Sequence, residues 1–386
     1  MRVLMLGWEF PPFISGGLGT ACHGLTKAMS QIGTDVLFVL PKPVQEQESH
    51  VTILSPRSLS AQLANLASEY ELRGFEHVRF CVLHAAGGIS PYHSPEQHAE
   101  LMRERTRKVR SIEGGSLADQ PADVRDENAS DYEGDMFHQI ERYARLASAV
   151  AEFEQFDVIH AHDWMTYRAG MAVSALSGKP LVVHIHSTEF DRSGEHVNQA
   201  IYNIERQGMH FAQKVIAVSH LTRSVVTSRY GVPPDKVEVV YNAVELNGNL
   251  PAVSMAPIQR DEKLVLFLGR ITMQKGPEYF LAAAKKVLEV MDNVRFIMAG
   301  WGDMIRRTIE MAAQMGIGHK VLFTGFLRGP DVDRVFRMAD LYVMPSVSEP
   351  FGIAPLEAMS NDVPVIISKQ SGVSEVIKHA LKVDFW

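Results

Sequence analysis

The chain has 386 residues, enough for two or three domains at ~100–200 residues each. A composition 46% apolar and 22% charged is that of an ordinary globular protein and excludes a fibrous or disordered one. Thirty-eight Lys and Arg against 45 Asp and Glu leave a net charge of −7, which argues against broad capture of nucleic acid or anionic membrane.

In chain order, the first half offers strands at 2–7, 35–40, 51–54, 78–84, 156–161, 181–186, 214–218 and 237–241. Several are near-continuous Val, Ile and Leu, as in strands covered on both faces. Helix-length segments lie between them at 18–32, 137–154, 167–177 and 201–211. The pattern pauses at 246–262, where Asn-Gly-Asn and prolines show no period and read as a linker. It restarts with strands at 264–268, 294–299, 321–324, 341–344 and 364–367. Repeated strand–helix units predict an α/β protein of two Rossmann-like, doubly wound parallel-sheet domains facing a cleft, 1–245 and 263–386. Residues 94–135, first basic and then Gly- and Asp-rich, read as a surface insertion. The chain stops at Trp386, so the second domain is expected to lack its last helices. Only Cys22 and Cys81 occur, the opening apolar stretch is too short for a signal peptide, and no run nears the ~18–20 residues of a membrane span. A soluble cytoplasmic protein is the expectation.

In open parallel sheets, ligands bind outside the carboxyl ends of the strands, and the unusual residues of this chain collect there. Gly16-Gly17-Leu18-Gly19 follows the first strand and opens a helix, so its N–H groups can approach an anion or a sugar edge; a tight turn explains the same glycines. The dinucleotide fingerprint is absent, since Pro41-Lys42 stands where an acid would end the second strand. Arg270 and Lys275 share one strand-to-helix loop, a pair suited to neutralising a diphosphate leaving group without a metal. Gly300-Trp301-Gly302 follows the next strand. In the stretch from Ser348 to Glu357, Glu349 lies in the loop and a helix begins near Gly352, Ile353 and Ala354. Free amides there can hold a phosphate, and two carboxylates can accept paired bonds from vicinal hydroxyls. The plainer reading makes both acids partners of the helix dipole.

His160-Ala161-His162 and His184-Ile185-His186 set pairs on one strand face, with Asp163 adjacent, a spacing compatible with zinc or iron. No further ligand set follows, so sugar-hydroxyl or structural roles are favoured and no metal is expected. Asp331-Val332-Asp333 imitates an Asp-x-Asp metal signature but follows Gly329-Pro330 at a helix start, where acids complement the dipole.

Taken in order, Gly16-Gly17-Leu18-Gly19, His160 to Trp164, Val240-Tyr241-Asn242, Gly269 to Gly276 and Glu349 to Glu357 resemble the retaining GT-B glycosyltransferases. The likeness is to glycogen and starch synthases and their bacterial relatives, the glycosyltransferase group 1. That resemblance implies hexosyl transfer from a nucleotide-diphosphate sugar, ADP- or UDP-glucose among the donors, to a carbohydrate acceptor, without metal or other cofactor. It implies that Gly17 meets the donor through its backbone, with Gly16 and Gly300 in the same donor site. His162 would lie against the transferred sugar, Arg270 and Lys275 on the diphosphate. Glu349 would accept from sugar hydroxyls beside the amides of Gly352, Ile353 and Ala354, while Glu357 grips the ribose. His186, Glu189 and Arg192 fall on the acceptor side. Glycogen and starch synthases have Lys two residues before the paired glycines, where this chain has Ile14. Sugar-nucleotide epimerisation and a non-catalytic nucleotide-sugar or carbohydrate-binding module are the alternatives.

Overall fold

The computed structural model describes residues 1–10, 17–41, 51–54, 67–72, 76–83, 129–244 and 262–386. Gly16, Ile14, residues 94–128 of the expected insertion and 246–261 of the expected linker lie outside them. The first unit runs β1 (Arg2–Leu6), α1 (Gly17–Gln31), β2 (Asp35–Leu40), β3 (Val51–Leu54), β4 (Ala67–Leu72), β5 (Val78–Leu83), α2 (Ala129–Ala151), β6 (Val158–His162) and α3 (Trp164–Ser177). It continues with β7 (Leu181–Ile185), α4 (Glu189–Ser193), α5 (Gln199–Phe211), β8 (Lys214–Ala217), α6 (His220–Arg229) and β9 (Val237–Val239). Among the described residues these strands form one sheet in the order β3-β4-β5-β2-β1-β6-β7-β8-β9.

The second unit runs β10 (Lys263–Leu268), α7 (Pro277–Leu288), β11 (Val294–Ala299), α8 (Ile305–Gln314), β12 (Val321–Gly325) and α9 (Pro330–Met338). It closes with β13 (Leu341–Met344), α10 (Ala354–Ser360), β14 (Val365–Ser368) and β15 (Leu381–Val383), in a parallel sheet ordered β12-β11-β10-β13-β14-β15.

Seven strands of the first sheet are parallel, as the alternation of strand and helix requires. Two details correct the expectation. β4 is an additional strand, and its antiparallel pairing with β3 and β5 makes that edge of the sheet mixed. The segment expected to end as an insertion at 135 is already helical from Ala129, where α2 begins.

Both sheets are buried on two faces, and the period of two shows in the cores. Leu4 and Leu6 pack with Tyr143, Ile159 and Val183 on one face, while Val3 and Met5 pack with Phe10, Phe38 and Phe80 on the other. In the second sheet Leu264 and Leu266 join Tyr342 and Phe351, while Phe267 joins Phe280 and Phe296. Strand order reverses between β1 and β6 in one sheet and between β10 and β13 in the other. At such switch points the connections leave in opposite directions and open a crevice. Gly17 follows β1, His162 ends β6, Arg270 and Lys275 follow β10, and Glu349 follows β13. Two independent crevices thus receive the residues that the sequence singles out.

The units touch. Ser219 and Thr222 at the start of α6 donate to the carbonyl of Pro350 at 2.6 and 3.3 Å, and Val218 packs in the second unit's core. Glu375 accepts from the amides of His220 and Leu221 and from the Tyr241 hydroxyl. Among the described residues no helix is long and apolar enough to cross a membrane.

Candidate active site

After β10 the backbone turns through Arg270 and a short 3₁₀ turn, Met273–Lys275, before Pro277 opens α7 with its fixed φ and dispensable N–H. The turn places Gln274 inward: its carbonyl accepts from the amides of Val347 and Ser348 at 2.9 and 3.4 Å, and its side chain accepts from Arg270 at 3.2 Å. The loop after β10 is thereby stitched to the loop after β13. Lys275 donates to Glu349 Oε2 at 2.5 Å, and Ser346 Oγ donates to the same oxygen at 3.1 Å. Glu349 is buried, so its carboxylate depends on these two donors. Lys275 and Glu349 therefore meet directly, while Arg270 lies on the same loop as Lys275 and donates to Gln274, whose carbonyl holds the loop that carries Glu349.

Glycine sets the shape of this pocket at two points. Gly300 has φ +144°, and a Cβ there would lie 1.8 Å from the Gly269 carbonyl oxygen, so the ends of β10 and β11 can approach only without a side chain. Gly352 has φ +94°, with Glu349 Cγ and Met344 Sδ at 3.0 and 3.2 Å from where its Cβ would stand. That turn leads through Ile353 into α10, whose first amides have no acceptor within the helix. Glu357 lies in the first turn of α10, and burial, with the Asp333 charge beside it, pushes its pKa up to about 7. Asp331 and Asp333 sit in the first turn of α9, where Asp331 pairs with Arg334. Their role is that of helix-start acids.

The opposite wall is histidine. β6 and β7 pair in parallel with His162 opposite His184, so His160, His162, His184 and His186 share one face. His162 Nδ1 and His186 Nε2 are 3.0 Å apart. Burial holds His160 down to about 4 and His186 to about 3, and His162 and His184 also well below the ordinary range, so all four rings are neutral at pH 7.

Asp163 links these strand ends. It begins α3 at φ 59°, ψ 166°, a conformation favourable only to glycine. Its Oδ1 accepts from the amides of His186 at 2.7 Å and Ser187 at 3.4 Å, while burial raises its pKa to about 7.

Below this wall lies a polar network. Arg192 donates to Glu189 at 3.1 Å, to the Ser187 carbonyl at 3.1 Å and to Glu205, which also accepts from Tyr230 and from the Glu189 amide. Glu189 further accepts from Ser193 and from the Asn198 amide. Glu189 and Arg192, expected on the acceptor side, thus have their side chains turned into the scaffold of α4. Asp191 closes a capping box with Thr188 and accepts from Ser348 Oγ of the second unit at 2.6 Å. Sequence reasoning missed the roles of Asp163, Asp191, Glu205 and Ser348. The Thr188-x-x-Asp191 spacing was the one available signal, a capping box.

Gly17 stands exposed at the start of α1, with open space where a Cβ would go. At the far edge, the Gly300 amide donates to the Gly325 carbonyl, and the Arg328 guanidinium lies 5.4 Å from the exposed Phe326 ring.

Comparison with known proteins decides the family. Residues 255–382 match the glycosyl transferases group 1 and residues 121–247 match glycosyltransferase family 4. An uncharacterized glycosyltransferase of Methanocaldococcus jannaschii is 31% identical over 392 residues, covering 98% of this chain and 83% of that protein. The chain belongs to the group 1 glycosyltransferases. A more distant relative of this glycosyltransferase is the glycogen synthase of Mycobacterium tuberculosis, 23% identical over 98% of this chain and 80% of the synthase. In fold it is similar to Anabaena HepE, solved with UDP and glucose, at TM-score 0.62 and 18% identity over 100% of this chain and 86% of that one. It is similar also to the catalytic domain of Arabidopsis thaliana starch synthase IV, solved with ADP and acarbose, at TM-score 0.67 and 16% identity over 98% and 84%. The GT-B architecture expected from the sequence is the one found.

Proposed function

We propose that this glycosyltransferase moves a hexose from a nucleotide-diphosphate sugar to a carbohydrate acceptor with retention of anomeric configuration. The observation behind this reading is the pairing of Lys275 with the buried Glu349 at the switch point of the second sheet, with Arg270 on the same loop as Lys275. Two cations beside one buried carboxylate suit a diphosphate attached to a hydroxyl-rich ring: Arg270 and Lys275 take the phosphates and Glu349 accepts from the sugar. The amides of Gly352, Ile353 and Ala354 lie beside the same groups, with Gly300 on the other flank. Glu357 takes the ribose hydroxyls, and Gly17 and Gly16 approach the donor from the first unit.

During transfer the bond from the anomeric carbon to the diphosphate oxygen breaks, and a bond to the acceptor oxygen forms on the same face. The acceptor proton passes to the departing phosphate oxygen. His162 steadies the sugar, and the paired cations neutralise the diphosphate as its charge grows, so the chemistry calls on no metal and no side-chain nucleophile. His186 lies on the acceptor side, and Glu189 and Arg192 support that side through the loop they hold. ADP-glucose and UDP-glucose with a glucan are the first substrates to test, given a glycogen synthase among the relatives and UDP with glucose in HepE.

The test is release of nucleoside diphosphate from a panel of nucleotide sugars, with and without carbohydrate acceptors, and proton NMR of the product's anomeric centre. Acceptor-dependent release with retention is the expected result, lost in Lys275→Ala and Glu349→Ala. An epimerised donor without acceptor, or tight donor binding without turnover across the panel, would overturn it.

A further inference from the structure

Buried polar atoms in folded proteins are almost always hydrogen-bonded, and each exception calls for an explanation. The histidine wall concentrates such exceptions. His160 Nε2, His162 Nε2 and both ring nitrogens of His184 are buried without a hydrogen-bond partner among the described residues. Exposure of the three residues is 8%, 0% and 4%, so bulk water does not satisfy them. One ligand nitrogen from each ring lies within 4.8 Å of the other two. The rings crowd together, with centroids 4.3 Å apart for His160–His162, 5.1 Å for His162–His184 and 5.4 Å for His160–His184.

We propose that His160, His162 and His184 form a binding site for a divalent transition metal of the zinc class, whose occupancy competes with the donor sugar. The competition rests on the reading above, in which His162 lies against that sugar; the metal site itself does not.

Two lines of chemistry support the choice. First, His162 has the support usual for a metal-bound histidine. Its Nδ1 faces His186 Nε2 at 3.0 Å; with the proton on Nδ1, the Nε2 lone pair is free for the ion. Second, all three donors are nitrogen, which suits zinc or cobalt and not magnesium or calcium, whose preference is for oxygen. Four-coordinate zinc with bonds of roughly 2.0–2.1 Å needs ligand atoms about 3.3 Å apart, so nitrogens now within 4.8 Å of one another would draw together on binding. A three-histidine set also leaves a fourth position open, the place where a sugar hydroxyl or water would otherwise stand. Cys22, His162 and His186 form a rival trio: His186 Nε2 is engaged by His162 but its Nδ1 is buried without a partner among the described residues, so the test below includes Cys22.

The test uses the whole chain, stripped with a chelator and titrated with Zn²⁺ against a chromogenic competitor and with Co²⁺ by visible absorption. One equivalent of zinc at micromolar affinity or tighter, a four-coordinate cobalt spectrum and no competition by Mg²⁺ are expected. His160→Gln and His184→Gln should each weaken zinc at least ~10-fold, the smallest loss seen even for outer-shell changes, while Cys22→Ser leaves affinity unchanged. Thermal melting of each variant establishes that it is folded, and the wild-type cobalt spectrum decides the matter should one fail. No stoichiometric zinc, or affinity lost in Cys22→Ser and kept in His160→Gln, overturns the site. Bound zinc should inhibit donor turnover, reversibly by chelator and competitively with donor; turnover indifferent to bound zinc overturns the competition. If no donor is turned over at all, the proposed function fails while the titration still decides the site.

Discussion

Ser348 Oγ donates to Asp191 Oδ1 at 2.6 Å, joining the residue next to Glu349 to a helix of the opposite unit, 157 positions away in sequence. Asp191 is itself fixed by its bonds from Thr188, so the loop bearing Glu349 is referenced to a rigid point. A hydrogen bond to a charged group contributes about 1.5–3 kcal/mol. Ser348→Ala is expected to lower kcat/KM for the donor by about tenfold or more, at roughly 1.4 kcal/mol per tenfold, with the circular dichroism spectrum unchanged. A double-mutant cycle with Asp191→Asn would show the two losses to be non-additive; fully additive losses would show that the bond has no functional part.

Lys275 and Glu349 form a pair whose members differ in what their loss does. Lys275→Ala leaves the buried Glu349 carboxylate with Ser346 alone. Removing one partner of a buried pair costs about 3–5 kcal/mol, so this variant should melt earlier as well as lose turnover by about 10²–10³-fold. Lys275→Met combined with Glu349→Leu should recover much of the stability and none of the activity, measured by denaturant unfolding and donor turnover side by side.

The glycines separate shape from contact. A methyl group at Gly300 meets the backbone of Gly269, which has no room to yield, so Gly300→Ala is expected to cost more than about 3 kcal/mol. At Gly17 nothing stands within 4 Å of the place a methyl group would take, so Gly17→Ala should leave stability unchanged within the ~0.5 kcal/mol typical of surface changes. A weaker donor KM in Gly17→Ala would then report a lost approach of donor to backbone, free of any folding effect.

Glu357 gives the pH dependence. Its pKa is raised to about 7 against an ordinary 4.5, so the native state holds a proton that the unfolded chain has released. Its contribution to stability is therefore full below pH 4.5 and falls as pH rises toward 7. In the proposed role binding runs the other way: an ionised carboxylate can accept from both ribose hydroxyls, whereas the protonated acid gives up part of that acceptor capacity, so donor affinity should rise with pH through about 7. Glu357→Gln should flatten the affinity profile, as followed by calorimetric titration across that range; an unchanged slope would assign it to another group.

Chelation separates the two proposals made for the cleft. In the proposed function Arg270 and Lys275 meet the charge on the diphosphate, which predicts that transfer survives excess EDTA. If zinc occupies the histidine wall as purified, the same treatment should raise the rate. A rate abolished by EDTA and restored by Mg²⁺ would contradict the paired-cation reading.

Most of the fold was legible because buried parallel strands are written as apolar runs. The two strands that escaped lack that signature. β4 reads Ala-Ser-Glu-Tyr-Glu-Leu, and β15 is three exposed residues held by pairing with β14. The loops of the site were legible because glycine, arginine and acidic residues interrupt those runs where strands end. Partnerships between separate elements were not, since Ser348 with Asp191 across the cleft and Arg192 with Glu205 within the first unit depend on packing rather than on spacing. The histidines show the same limit. Each pair was visible on its own strand, but only the register of β6 against β7 brings His162 beside His184.

Asp163 also fixes the first unit's share of the cleft. A non-glycine residue at φ 59° stays there because its carboxylate clasps the backbone of the neighbouring strand end. Both ends of that clasp lie within the first unit, so rotation of one unit against the other leaves it untouched. The backbone that carries the histidine side of the cleft is accordingly set within the first unit alone, and the loop bearing Glu349 is brought to it through Ser348 and Asp191.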